Sequence, residues 1–336
     1  MIDQTNDTRS KNLITRINPL VAVFASLLAV FLLAYPAVFT KPFPQHVMIL
    51  VFLYIVLSQS WNLLGGFVGQ VSLGHAVYFG IGAYAAVLLQ VRLGLPAWVA
   101  FVLAGVAVVP VSYLIGVPTF KLGGHYFAIA TIAVGEVMRI LFQNWEWVGG
   151  NVGLDLPMVE EGLWHFQFHH SKMGYYYIGL LMAAFSTLVV YLLKKSKAGY
   201  YFRAIKGDQN AAAALAVNPA RYKLIANAVS AVLAGLAGAY YAQYVLFIDP
   251  PSVMASKMSV LVMLTTVLGG AGTLWGPVIG TAVLIPLSEL SRVYWGGGGQ
   301  AFDQVVYGAM IVLLAVFQPA GLLGLAPKIK KLFGRG

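Results

Sequence analysis

The chain contains no cysteine, so disulfides, thiolate nucleophiles and cysteine-ligated metals are excluded from the start. Charge is scarce. Asp, Glu, Lys and Arg make up 10% of the 336 residues, against about 25% in a typical soluble domain. Acids are the scarcer sign, 11 against 21 bases. No G-x-x-x-x-G-K-[ST] run occurs, so the chain carries no phosphate-cradling loop for ATP. H-E-x-x-H, G-x-S-x-G and D-x-D-x-D-G runs are missing too, which removes the usual marks of zinc hydrolases, serine hydrolases and calcium loops. His165, His169 and His170 cluster in WHFQFHH without visible carboxylate partners at ligand spacing. A solvated loop accounts for them, and no metal is expected.

What is there is apolar: 60% of the residues. In water, so long a chain of this composition would leave large greasy surfaces, so an integral membrane protein is expected. A bilayer core of about 30 Å needs about 20 apolar residues in a helix. Candidate spans are 18–39, 45–64, 73–91, 95–117, 122–143, 174–193, 222–246, 257–270, 276–295 and 302–318. The stretch 257–270 is short, so 257–295 is also readable as a re-entrant hairpin. The first stretch is long enough to span and lacks an A-x-A cleavage site, so it reads as a retained span rather than a signal peptide. The expected fold is all-α: a polytopic bundle of about ten transmembrane helices. It forms one domain, 18–326, between a tail at 1–17 and a basic tail at 327–336.

Fourteen of the 21 Lys/Arg residues sit in 1–17, 194–223 and 327–336. These patches flank apolar runs, as the positive-inside rule requires of cytoplasmic segments. They fit anionic lipid better than nucleic acid. With a cytoplasmic N-terminus and alternating sides, the loop 143–173 falls outside. It carries Glu146, Asp155, Glu160 and Glu161 against Lys172 alone. The loop 194–221 and the C-terminal tail fall inside. Trp145, Trp147, Trp164 and Trp295 then lie at outer ends, as an aromatic belt does.

Two segments, 65–84 and 269–283, place Gly-broken backbone between apolar runs. Such breaks mark substrate paths in transporters, although glycine also serves close helix packing. The candidate path residues are Gly69, Ser72, Gly74, His75, Gly270, Gly272 and Gly276. His75 reads either as polar lining or as a packed histidine with a backbone partner. Glu136 with Arg139, and Glu289 with Arg292, form E-x-x-R pairs on shared helix faces near outer span ends. They either orient those ends or line an outer vestibule that meets a zwitterion or a docking partner. Within the basic loop, Ala211 to Leu215 are strong helix formers, bounded by Gly207 and Pro219. A short surface helix that exposes small alanines is expected there. It suits a groove on another protein or a lipid surface.

At this point the chain resembles a known family. RAIKGDQNAAAALAVNPARYKLIANAVSAVLAGLAGAYYA (203–242) is similar to the coupling loop and following span of branched-chain amino acid ABC transporter permeases of the LivM type. NLLGGFVGQVSLGHAVYFGIGAYAAVLL (62–89), GHYFAIATIAVGEVMRILFQNW (124–145), GGAGTLWGPVIGTAVLIPLSE (269–289) and QPAGLLGL (318–325) match in the same order. The resemblance implies a type II-like importer in the bacterial inner membrane. Its expected partners are a LivH-type permease, two cytoplasmic ATPases that use ATP, and a periplasmic binding protein. This chain itself would be non-catalytic and without cofactor. Asp208, Ala211, Ala212, Leu215, Ala216 and Asn218 match the ATPase-coupling motif. The family usually has glycine where Ala216 stands, so a continued helix is expected at that turn. Val148 and Val152 replace polar residues of the family's outer loop. Permeases for urea or short amides, and a secondary transporter or channel, are the alternative readings.

Overall fold

The computed structural model describes residues 19–294, 308–309 and 321–325. It divides after Gln45 into two units. The first unit holds α1 (Pro19–Val38) and the start of α2 (Pro42–Trp61). Within it, Gln45 Nε2 donates to the carbonyls of Pro36 and Phe39, closing the turn between the two helices.

The second unit contains the rest of α2 and the helices that follow. They are α3 (Ala76–Val91), α4 (Ala97–Thr119), α5 (Gly124–Asn144), α6 (Met173–Lys195), α7 (Lys197–Gly207), α8 (Gln209–Ala214), α9 (Pro219–Val245), α10 (Pro250–Val253), α11 (Ser256–Gly269) and α12 (Gly276–Tyr294). Among the described residues, six helical stretches are long and apolar enough to cross a membrane: Pro42–Val68, Ala97–Thr119, Gly124–Asn144, Met173–Lys195, Pro219–Val245 and Pro250–Gly269. Each corresponds to an expected span. The expected span 302–318 lies outside the described residues apart from 308–309.

Two boundaries differ from expectation for a physical reason. The second span does not stop at residue 64: α2 runs into a π-helical turn, Asn62–Val68, closed by Gly69 at φ 82°. The third span does not start at residue 73, because α3 begins only at Ala76. Residues 69–75 are non-helical, with Ser72 and His75 buried and Gly69 and Val71 exposed. Irregular backbone of this kind persists at membrane depth only where protein, not lipid, surrounds it.

The core of the unit is α9 lying against α3 and α4. Small residues make the close approach possible. Ala86, Ala104 and Ala239, one from each helix, are fully buried together. A Cβ on Gly82 would sit 2.1 Å from the Gly235 carbonyl oxygen, and one on Gly238 would sit 1.9 Å from that of Phe79. Lipid tails are as apolar as leucine, so packing distance rather than hydrophobicity drives helices together here. The opposite faces of α4 and α6 expose Val102, Val106, Leu114, Leu181, Phe185 and Leu188, as a hydrocarbon-facing surface does.

The segment between α5 and α6 folds back onto the bundle. β1 (Leu154–Asp155) pairs antiparallel with β2 (Phe247–Ile248), which follows α9. Trp98 stacks on Phe166 with centroids 4.4 Å apart and donates its indole N–H to the Leu163 carbonyl. Val148 is buried and Val152 is 85% exposed, so the two valines of VGGNVG have opposite surroundings. Trp145, Trp147 and Trp164 are exposed on this segment; Trp295 lies outside the described residues. Replacing Gly238 with valine is expected to cost the folded protein several kcal/mol, as overpacking against fixed backbone does. Gly207→Ala, with nothing near its added carbon, is expected to fall within about 0.5 kcal/mol of the parent. Thermal unfolding of the two variants in detergent checks the contrast.

Candidate functional site

The site grows from five consecutive residues at the end of α2, Ser58-Gln59-Ser60-Trp61-Asn62, each buried inside the bundle. Their polar groups reach different elements. Ser58 Oγ lies 2.7 Å from Thr265 Oγ1 of α11 and accepts from Thr281 Oγ1 of α12. Gln59 Nε2 donates to the Leu274 carbonyl, 2.8 Å away. Ser60 Oγ contacts the Ser230 carbonyl of α9 at 2.6 Å and His75 Nε2 at 2.7 Å. Trp61 Nε1 donates to the Ser72 carbonyl. Asn62 holds the second glycine loop from both sides: its Nδ2 donates to the Thr273 carbonyl at 2.7 Å, and its Oδ1 accepts from Gly272 N at 2.8 Å.

The two glycine-broken segments therefore meet. A Cβ on Gly66 would sit 2.5 Å from Gly272 N, and one on Gly272 would sit 2.8 Å from the Gly66 carbonyl oxygen. Gly69, Gly270 and Gly272 all have φ between 82° and 121°, where a side chain is strained. Gly276, at the start of α12, abuts Gly270. Gly321, in the C-terminal P-x-G-L stretch, abuts Gly269 and Gly270. Ser72 is buried, and Gly74 lies against the Thr131 carbonyl of α5. His75 is fully enclosed: its Nε2 is shared between Ser60 and Ser230, and its Nδ1 has no partner among the described residues. Gly270, Gly272 and Gly276 thus lie with Gly66 in one closely packed knot, Gly69 abuts Lys206 at its edge, and Ser72, Gly74 and His75 pack on Trp61, Thr131 and Ser60.

The coupling region meets the knot where α7 packs against the Asn62–Val68 turn. Lys206, near the end of α7, donates from Nζ to the Gly66 carbonyl at 2.7 Å. The first part of the expected basic loop 194–221 is instead the capped helix α7, with Ser196 Oγ accepting from Gly199 N. Asp208 separates α7 from α8, and its Oδ1 accepts from the N–H groups of Asn210 and Ala211. Asn218 caps α9 in the same way on Arg221 N. The expected continued helix at Ala216 does not form. Ala216 has φ 61°, Val217 N donates to the Ala212 carbonyl and Ala216 N to that of Ala213. Those two bonds make a Schellman turn, which satisfies end carbonyls and needs a left-handed residue at this position even when it is alanine. Of the small coupling residues, Ala211 is exposed but Ala212 is buried, and Leu215 is 81% exposed. Ala212 therefore supports α8 from within, and the outward apolar group is Leu215. Lys223 of α9 donates to Gln209 Oε1 and ties α8 down.

At the far end of α9 lies a cavity of about 390 Å³. Glu289 and Arg292 stand in its wall and pair at 3.1 Å. Glu136 and Arg139 also pair, with both carboxylate oxygens within reach of Arg139 Nε, and lie outside this cavity. On the segment between α5 and α6, His170 pairs with Glu161 and holds that carboxylate below its usual range. Among the described residues, no three His, Asp or Glu side chains stand close enough together to hold a metal ion.

The family model for the permease component of branched-chain amino acid transport systems matches residues 43–315. The chain belongs to this family. The match begins where α2 begins and leaves α1 outside it. The permease is 29% identical over 331 residues to the high-affinity branched-chain amino acid transport system permease protein LivM of Salmonella typhimurium, covering 92% of this chain and 76% of that one. The LivM protein of Escherichia coli K12 gives the same figures. LivH of Salmonella typhimurium is 23% identical over 295 residues, covering 83% of this chain and 93% of its own. No solved structure matches. The permease is thus a multi-pass membrane protein homologous to both LivM and LivH.

Sequence reasoning missed Ser58 to Asn62 and Lys206. The available signal was five consecutive hydrogen-bonding side chains in an apolar span, a costly placement unless each has a protein partner. Asn62→Leu keeps volume but leaves Gly272 N–H and the Thr273 carbonyl unpaired, a cost of about 1–3 kcal/mol per group. Membrane insertion of this variant is expected to be normal while the second glycine loop loosens. Amide hydrogen exchange at 270–275 checks this: faster exchange is expected, and unchanged protection contradicts the clamp.

Proposed function

We propose that this permease is the membrane-spanning subunit of an ATP-driven importer for branched-chain or related amino acids. It pairs with a second permease of the LivH kind, receives substrate from a soluble periplasmic binding protein, and is powered by two cytoplasmic ATPases. The chain lacks a phosphate-binding loop of its own, so hydrolysis falls to those partners. In this reading ten helices cross the bacterial inner membrane, α10 with α11 and then α12 counting as two and 302–318 as the last. Both tails and the α7–α8 elbow face the cytoplasm, and the segment 143–173 faces outward. The charge pattern supports that orientation. The permease holds no cofactor and makes or breaks no bond in its cargo.

The observation that carries the reading is the Lys206 strut. It joins the surface elbow to the carbonyl of Gly66 inside the knot. A groove on an ATPase that grips Leu215 moves α8. Gln209 passes the displacement to α9 through Lys223, and Lys206 passes it to both glycine loops. Rigid elements linked in this way shift together, as alternating access requires. In this reading, displacement of the knot relative to the partner permease opens the path.

Leu215→Asp places a charge on the exposed apolar group without disturbing the buried face of α8. In vesicles holding the whole transporter, amino acid uptake is expected to fall about tenfold or more, the effect of losing an interface anchor. Stimulation of ATP hydrolysis by loaded binding protein is expected to fall with it. Uptake and stimulation at parental levels contradict the docking role of α8.

A further inference from the structure

One face of α6 is an apolar stripe. Leu181, Phe185, Leu188 and Leu192 are each at least half exposed. Their spacing of three and four residues puts them on one side of the helix. Lys195 takes the next place on that side, three residues after Leu192, and is exposed too. α6 has 23 residues, about 34 Å at 1.5 Å per residue, enough to cross a hydrocarbon core of about 30 Å. The surface that meets acyl chains therefore ends in an ammonium group at the depth where headgroups begin.

Ser196 alone separates α6 from α7, so α7 starts at the level where α6 ends. α7 buries Gly199, Phe202 and Ile205. Its opposite face carries Lys197 and Tyr200, both exposed. Two cations rest on tyrosine rings: Lys195 Nζ lies 4.4 Å from the Tyr191 centroid, and the Arg203 guanidinium lies 4.7 Å from that of Tyr200. Arg203 Nε also donates to the Gly199 carbonyl. Residues 194–207 contain five Lys/Arg and no acid. Among the described residues, none of the five pairs with a carboxylate. The corner is thus a concentration of unbalanced positive charge, set on tyrosines, at the end of a lipid-facing stripe. Tyrosine and basic side chains collect in this way where hydrocarbon gives over to headgroups.

We propose that the α6–α7 corner binds the headgroup of an anionic phospholipid of the cytoplasmic leaflet. The headgroup phosphate sits between Lys195 and Lys197, and an acyl chain lies along Leu192, Leu188 and Phe185. A zwitterionic headgroup brings its own cation and leaves the basic cluster unbalanced. Free phosphate, or an acidic protein surface, balances the charge and leaves the stripe beside it bare. An anionic lipid answers both surfaces at once. The site has a consequence for coupling, because α7 also bears Lys206, whose ammonium reaches the Gly66 carbonyl. A bound headgroup holds in place the helix that carries the strut. The assignment rests on the inward orientation of this corner in the reading above and adds to it a lipid partner.

The test places a fluorophore on Ala204→Cys, an exposed position of α7, in a chain that has no native cysteine. The labelled permease is assembled with its partners in nanodiscs, which offer lipid on both sides, so the outcome does not depend on which way the corner faces. The quencher is phosphatidylglycerol with a nitroxide near its headgroup, compared with phosphatidylcholine bearing the same nitroxide. Half-quenching is expected at a fraction of phosphatidylglycerol about fivefold lower than that of phosphatidylcholine, the preference that one or two basic side chains near an anionic lipid supply. Lys195→Gln combined with Lys197→Gln is expected to abolish the preference, and Lys195→Arg combined with Lys197→Arg to keep it. Both side chains are exposed, so these variants are expected to fold as the parent does. Equal quenching by the two lipids in the parent, or a preference that survives the double glutamine variant, overturns the site. A preference that inorganic phosphate removes at matched ionic strength overturns the lipid assignment in favour of a free-anion site. Equal quenching in the parent together with loss of the ATPase subunits from the double glutamine variant overturns it in favour of protein docking. Quenching reads lipid contact and not transport, so its failure is separate from failure of the importer reading, which shows as absent leucine uptake.

Discussion

Hydrogen-bonding groups inside a bilayer must find partners within the protein, and this constraint organises the molecule. Ser58 to Asn62 place a concentration of such groups in the middle of an apolar chain, and the surrounding helices are arranged to answer them. α9 supplies Ser230, α11 and α12 supply Thr265 and Thr281, and the two glycine loops supply backbone. Individual bonds between membrane helices contribute modestly, about 0.6 kcal/mol on average. An unanswered buried group costs more than that. The polar run therefore specifies geometry more strongly than it adds stability. Each of the five side chains makes at least one hydrogen bond in this register of α2.

Glycine completes the arrangement. The backbone at Gly66 and Gly272 approaches so closely that any side chain there would collide with the opposite loop. The result is a knot of irregular backbone, with Gly66 and Gly270 buried, that the Lys206 side chain reaches. Small residues perform a different task along α3, α4 and α9, where Ala86, Ala104 and Ala239 allow a close and regular contact. One residue class thus serves a rigid core and a breakable backbone in neighbouring parts of the same unit.

Much of the fold was legible because long apolar runs have few alternatives. The spans from Ala97 to Thr119 and from Met173 to Lys195 fall within two residues of the expected limits. Both E-x-x-R pairs form, since residues three apart on a helix are neighbours whatever surrounds them. The failures occur where tertiary contacts override local pattern. Ala216 takes a left-handed conformation because the helix end needs it, although alanine propensity favours continuation. Ala212 faces inward because α8 packs on its own chain. Asn62 pairs with residues more than 200 positions away, and no local spacing encodes that distance. Lys206 looked like one charge among many in a basic stretch, and only the fold shows its carbonyl partner.

The central claim is that the two glycine loops form one unit, held by Asn62 and moved by the coupling elbow. The absence of native cysteine makes a direct measurement simple. Spin labels on Val71→Cys and Trp275→Cys, both exposed positions on the two loops, report the distance between them in the assembled transporter with and without ATP. The account predicts one narrow distance distribution that is the same in both nucleotide states. A distribution that broadens or splits when ATP is added contradicts it.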